Sequence, residues 1–285
     1  MDSYVPDIGF TPEYHDLWTD TEFGGEPCHY ENNGIDYRYY RRRIPGTDYY
    51  DAISPYGYGG PIGGIPALTG VVSEFVRCHP WECSIPDYLC VKTGEVAYID
   101  LTQTEDEIWH GFDKGCRSSV RQAEKRERTW SMSGNVPVFF TVYYCRTMDR
   151  LNASPAYYFT PRFWEKLSAC KPVTIGTRDA HALFFFHGNY ATYFLSASDR
   201  KQQGSMNLIL WTAIKEAKML GCRIFNLGGG LHEGDSLSSF KRSFTPNVKP
   251  FYSYRKIHNP DIYAKLCKEK GIDPDSPGFF PGYRR

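Results

Sequence analysis

The sequence predicts an α/β fold in which mixed sheets are flanked by helices in two halves, and three observations carry that expectation. Strand-like and helix-like stretches alternate along most of the 285 residues. Asn189–Gly230 reads as one complete strand–loop–helix–strand unit. The short polar run Ser131–Asn135 (SMSGN) is the best linker, dividing residues 1–134 from 135–249.

The central unit sets the chemistry. Asn189–Ser198 is an aromatic-rich strand, and residues 199–205 (DRKQQGS) form a polar loop. An apolar-striped helix runs from about Met206 to Leu220 and stops at Gly221. A second strand, Arg223–Leu227, ends in Gly228-Gly229-Gly230. The unpaired first amides of such a helix and its dipole favour an anion in the loop before it. The same unit also occurs as plain α/β scaffold.

Lys+Arg and Asp+Glu both number 33, so no global field draws in nucleic acid or membrane, and any RNA contact needs a local patch. Aromatics reach 16%, which suits either a tyrosine-lined cleft or well-packed sheets. The sequence shows no apolar run of spanning length and no basic-then-apolar start, so a cytoplasmic protein without stable membrane insertion is expected. Nine irregularly spaced cysteines without a CxxC pair read as reduced thiols.

Taken in order, residues 1–34 are polar and look like a surface lead-in with a turn at Asn32-Asn33-Gly34. Tyr37–Arg43 (YRYYRRR) is a strand, either a charge-protected edge or a cationic wall for a phosphorylated ligand. The loop Ser54–Pro61 (SPYGYGGP) projects Tyr56 and Tyr58, either toward a ligand or across a tight connection. Ile65–Val76 reads as helical. Cys78, His79 and Cys83 offer soft metal ligands, but with no fourth ligand nearby zinc is not expected. Tyr88–Val91 and Glu95–Leu101 read as a hairpin turning at Thr93-Gly94, with Asp100 where the second strand ends. Asp100 is placed either for catalysis or as an N-cap, with Thr102 and Thr104 as alternative caps.

Thr104–Arg128 reads as helix, break at Gly115, helix. Arg117, Arg121, Lys125 and Arg128 then share one face, either solvated or a track for RNA phosphates. Helices come next at Val138–Leu151 and at Thr160–Cys170, where Pro161 takes the first helical position. Strands lie at Val173–Thr177 and Ala182–His187. After the central unit come a short helix Ser236–Phe244, a strand Pro250–Lys256 and a helix Asn259–Lys270.

Four stretches resemble the Fem-type family, a branch of the GNAT superfold that includes tRNA-dependent aminoacyltransferases of peptidoglycan bridge assembly. They are Ser54–Pro61, Phe75–Pro80 (FVRCHP), Tyr98–Lys125, and Tyr193–Phe244 with its Gly-rich turn and SFKRSF run. The likeness spans most of residues 36–256. It implies tandem GNAT-like subdomains, the second inserted so that residues 250–285 return to the first, with a cleft holding a phosphorylated precursor. By the same resemblance Asp100 matches a proposed base, and Phe240 with Lys241 matches a pair important for transfer. The family's charged coiled-coil insertion is absent. Its phosphate-binding cations have no motif match, so Arg38, Arg200 and Lys201 are candidates from local chemistry, joined by Ser198 and the two loop tyrosines as substrate contacts.

The chemistry agrees. Moving an aminoacyl group from a ribose ester to an amine needs orientation, proton removal and oxyanion stabilisation, not an enzyme nucleophile. The sequence holds no Gly-x-Ser-x-Gly elbow. Lys241, expected exposed and facing a cleft, would supply a cation, and Asp100 or the substrate itself would accept the proton. No cofactor or metal is implied: aminoacyl-tRNA is the co-substrate and a cell-wall precursor or other small amine the acceptor. DNA is not an expected partner.

Two alternatives stand beside this reading, an acyl-CoA-dependent N-acyltransferase of an amino sugar or other amine and a noncatalytic GNAT-like binding protein. Against coenzyme A, the loop reads Lys201-x-x-Gly204-x-Met206, where the pyrophosphate pattern wants Arg or Gln first and a small residue last.

Overall fold

Apolar stripes bounded by Gly, Pro and Asn resolve into two units in the computed structural model, which describes residues 5–199, 203–230 and 234–285. The first unit comprises Gly9–Thr93 with Pro250–Arg285. The second comprises Gly94–Lys249 with the chain leading up to Ile8. These boundaries differ from a division at 134/135. Residues 94–134 belong with the 135–249 stretch, because their helices pack on its helices and their strands pair with its strands.

The first unit opens with α1 (Pro12–Trp18), capped by the Thr11 hydroxyl accepting from the Tyr14 amide at 3.2 Å. Tyr14, Leu17 and Trp18 are buried, so this part of the expected surface lead-in is core, while residues 26–34 are largely exposed. A hairpin follows, β1 (Glu26–Asn32) and β2 (Ile35–Arg43), turning through Asn33 and Gly34 at φ 51° and 78°. Next come β3 (Tyr50–Ile53) and β4 (Ser73–Arg77). The helix expected over Ile65–Val76 does not form. Ile65, Leu68 and Val71 have helical spacing, but Pro66, Gly70 (φ 73°) and β-branched Val71-Val72 favour extended chain, which β4 uses for pairing.

Strand β5 (Cys90–Asp100), which belongs to the second unit from Gly94 on, is one uninterrupted strand in place of the expected hairpin at Thr93-Gly94. Helix α2 (Glu105–Gly111) starts at a capping box, Thr104 with Glu107. The break falls at Phe112-Asp113, and Gly115 lies inside α3 (Lys114–Arg126) because Phe112 anchors in the core. The expected linker is strand β6 (Trp130–Ser133), paired antiparallel with β7 (Val173–Gly176). Between them lie α4 (Val138–Leu151) and α5 (Pro161–Ala169, capped by Thr160). Then come β8 (Ala180–His187), β9 (Tyr190–Ser198), α6 (Ser205–Met219), β10 (Ile224–Gly228) and α7 (Ser236–Arg242). The sheet order is β5-β10-β9-β8-β7-β6, with β10 and β9 parallel and the other neighbours antiparallel. Its core joins Ile99, Val120, Ile175, Phe184, Ile209, Ile214, Phe225 and Phe244.

Strand β11 (Val248–Ile257) and α8 (Pro260–Glu269) belong chiefly to the first unit, whose sheet runs β1-β2-β3-β4-β11. Its core gathers Tyr37, Ala52, Val76, Ile85 and Tyr254. Asp51, fully buried, accepts from Arg42 at 3.0 Å, from Tyr283 at 3.3 Å and from Arg284. Two guanidinium groups thus neutralise one carboxylate.

Candidate functional site

The second unit places one lysine in a special position. β9 and β10 pair in parallel only from Tyr190–Thr192 to Ile224–Asn226. Beyond that β9 continues to Ser198, while β10 shifts register against β5 at a bulge held by Asn226, whose side-chain oxygen accepts from the Gly228 amide at 2.8 Å. Gly228 then turns at φ 75°, a conformation that suits glycine. The chain leaves the strand with the Gly229 carbonyl aimed at α7.

Lys241 on α7 fills that place. Its Nζ donates to the Gly229 carbonyl at 2.6 Å and stands 5.9 Å from the centre of the Tyr193 ring. It is 8% exposed, not exposed as expected from sequence. Burial lowers its pKa from 10.5 to about 8, with the Asp235 carboxylate opposing the shift. Asp235 also caps α7, accepting from the Ser238 amide at 2.6 Å. Tyr193 donates to the Met206 sulfur at 3.8 Å, so the Met206 side chain occupies the space beside the ring. Sequence reasoning missed Tyr193, the Gly229 carbonyl and Asp235. Only the Asp-x-x-Ser capping pattern before α7 carried a local signal.

Phe240 beside Lys241 packs edge-on against Phe244, which rests on Phe112. It fixes α7 on the core. Asp100 is not brought to Lys241. Asp100 pairs with Ile224 at the start of β10, whereas Lys241 binds just past its end. Five residues of strand separate the two levels, roughly 15 Å. The Asp100 carboxylate accepts from the Thr102 amide at 2.9 Å and the Thr102 hydroxyl at 2.6 Å, an Asx-turn closing the strand. Ser198 ends β9, and its backbone is tied to α4, with the amide donating to Thr147 at 3.1 Å and the carbonyl accepting from Arg150 at 2.7 Å.

The basic residues divide. Arg117 donates to the carbonyls of His110 and Phe112, so it caps the end of α2. Arg121 lies over the Trp109 ring at 5.3 Å. Lys125 is exposed on α3, and Arg128 falls beyond the last helical residue, so the expected four-residue stripe is not one helix face. Glu127, unremarked in the sequence, accepts from the Ser205 hydroxyl at 2.5 Å and so sets a carboxylate at the N-terminus of α6.

Arg38, Tyr56 and Tyr58 belong to the first unit. The Arg38 Nε is buried with no hydrogen-bond partner among the described residues. Tyr56 packs between Trp18 and Phe23 at 4.7 and 4.5 Å, and Tyr58 packs edge-on against Phe251 at 5.3 Å. Both rings make packing contacts, and both residues stay half-exposed. Arg200 and Lys201 lie outside the described residues. Among the described residues no cluster of three His, Cys, Asp or Glu side chains suits a metal ion, and no helix is long and apolar enough to cross a membrane.

No protein-family model and no curated protein matches the chain. Solved structures do. The chain is similar to FemX at 12% identity and a TM-score of 0.64, covering 92% of this chain and 95% of that one. It is also similar to the C-terminal domain of a putative lysylphosphatidylglycerol synthetase from Agrobacterium fabrum, at 16% identity and TM-score 0.57, covering 94% and 99%. A third likeness is to L-PGS from Bacillus licheniformis, at 12% identity and TM-score 0.53, covering 85% and 90%. At these identities the likeness establishes a shared fold.

Proposed function

We propose that this protein is an aminoacyltransferase that moves an aminoacyl group from aminoacyl-tRNA to the amine of a small acceptor, such as a cell-wall precursor, forming an amide. The observation that carries the reading is Lys241, a buried ammonium held by a backbone carbonyl at the end of the parting β9–β10 pair. A cation in such a low-dielectric place stabilises the oxyanion of a tetrahedral intermediate far better than one in water. The acceptor amine attacks the ester carbonyl directly, and the tRNA ribose hydroxyl leaves. The fold shared with FemX supports this class of chemistry. This reading assigns no role to Asp100, which pairs with Ile224 at the other end of β10.

The acyl-CoA alternative is disfavoured by two features of α6. The Glu127 carboxylate already accepts from Ser205 at the first residue of α6, and it is paired with Arg126 at 3.8 Å, so that end of the helix holds a charge pair of its own. Met206 turns into the space beside Tyr193.

The test is incubation of the purified protein with a charged tRNA pool and candidate amines, with products identified by mass spectrometry. Vesicles containing phosphatidylglycerol form a contrasting arm, suggested by the synthetases of like fold, in which transfer to a headgroup hydroxyl would give an ester and would replace the amine acceptor of this reading. Amide product from charged tRNA, abolished by Lys241→Ala, is expected. Product from acyl-CoA and none from tRNA would replace this reading with the alternative.

A further inference from the structure

His181 on β8 is a buried imidazole that the acyl-transfer reading does not use. It is 3% exposed, and neither ring nitrogen has a hydrogen-bond partner among the described residues. Three rings from two other elements box it in. The Trp130 ring of β6 lies 5.6 Å from its centre, and the Phe139 and Tyr143 rings of α4 lie 5.2 and 4.7 Å away, Tyr143 edge-on. His181 and Trp130 both stand opposite Gly176 of β7, one from each side. A Cβ at residue 176 would collide with the His181 Nδ1 and with the Trp130 ring, so glycine lets the two rings close over that strand.

Few charges reach the box. Asp179 in the turn before β8 and Asp199 just past β9 act on the imidazole. Helix α4 turns Phe139 and Tyr143 to it, while the charged Arg146, Asp149 and Arg150 of that helix are exposed. The neighbouring strands bring Trp130, Gly176 and Ala197, none of which ionises. Burial holds the imidazole pKa below its ordinary value of 6.5, although both carboxylates oppose the shift. Helix α4 in turn holds the end of β9, through Thr147 on the Ser198 amide and Arg150 on the Ser198 carbonyl.

We propose that His181 is an acid-operated latch: neutral, it packs α4 onto β8, and protonated it releases α4 and with it the end of β9. An imidazolium carries two N–H donors, and the docked box gives them no acceptor among the described residues. The ring faces attract a cation, but that attraction is weaker than the penalty on an ion buried without hydrogen bonds. Release turns the imidazole to water, where it takes a proton at its ordinary pKa. Above about pH 7 both arrangements are neutral, and docking does not depend on pH. As pH falls below 6.5 the released arrangement binds a proton that the docked one does not. The docking constant then drops by up to about tenfold per pH unit, until the docked imidazole itself protonates.

Hydrogen exchange of the full chain, read by mass spectrometry and corrected for the intrinsic rate, compares pH 7.5 with pH 5.0. In the wild type α4 and the end of β9 are expected to lose about tenfold in protection at the lower pH, while β7 and β8 keep theirs. His181→Leu cannot take the proton, and its α4 protection should be the same at both values. Equal wild-type protection at the two pH values, an equal loss in His181→Leu, or a loss spread evenly through β6–β9 would overturn the latch. The wild-type imidazole followed by NMR needs no variant to fold. A pKa below 6.5 with α4 opening over the same range supports the assignment, and a pKa at or above 6.5 overturns it. None of these readouts depends on acyl transfer.

Discussion

At the scale of the residue, Lys241 carries the functional reading, and its burial makes two predictions. Replacing it with Ala should lower kcat by a factor on the order of a hundred or more, as loss of an oxyanion donor does, with KM little changed. A stopped-flow or discontinuous transfer assay checks this, and near wild-type turnover would remove Lys241 from the mechanism. The depressed pKa also bears on stability. A lysine whose folded pKa lies below its unfolded value binds fewer protons folded than unfolded between about 8 and 10.5. Its burial therefore costs stability in full below pH 8, on the order of 3 kcal/mol, and that cost fades as pH rises to the unfolded value. Lys241→Met should thus unfold at higher urea than the wild type at pH 7, and the gap should narrow by pH 10. Activity should run the other way. With the cation as the working form, kcat falls as pH passes about 8, and Lys241→Arg, if active, should move that limb upward.

At the scale of the element, α3 and α6 decide what meets phosphate. Arg117 is spent on the carbonyls that end α2, so replacing it loosens that junction instead of testing RNA binding. Of the expected stripe, Arg121 and Lys125 are the members that stand exposed on α3. If they meet tRNA, Arg121→Ser with Lys125→Ser should weaken tRNA binding and reduce the slope of log K against log salt by about one to two. Equal slopes for variant and wild type would return this helix to solvent. For α6, the Glu127 carboxylate at the N-terminus predicts acetyl-CoA binding no tighter than roughly millimolar, about −4 kcal/mol, by calorimetry. Glu127→Gln removes the opposing charge, and tighter binding by that variant would identify the carboxylate as the cause.

At the scale of the whole molecule, two cores form from chain segments far apart in sequence. The first unit depends on residues 250–285 for α8, β11 and the Arg284 that meets Asp51. Asp51→Ala leaves two guanidinium groups facing each other around an empty site, and should destabilise by about 3 kcal/mol. Urea unfolding measures this, and hydrogen exchange should locate the lost protection in β2, β3 and the C-terminal segment. An unchanged midpoint would show that Arg42 and Arg284 find water instead.

The sequence by itself determined most elements and the α/β class, because those rest on local periodicity, caps and glycine stops. The aromatic strand of β9, the apolar stripe of α6, Thr160 before α5 and the glycines after β10 are all legible within ten residues. It failed where local signals conflicted, as when Ile65, Leu68 and Val71 imitated a helix that Pro66 and Gly70 forbid. The site was legible in part. Lys241 stands out beside Phe240, yet whether it faces water or Tyr193 depends on where β9 and β10 part, at Thr192 and Asn226. Asp100 and Lys241 looked like partners until strand direction set them at opposite ends of β10. Glu127 acquires its place only when α3 packs against α6. Burial and charge pairing are properties of the space around a side chain, and neighbours remote in sequence fill that space, so only the tertiary structure decided which charges are paired, buried or exposed.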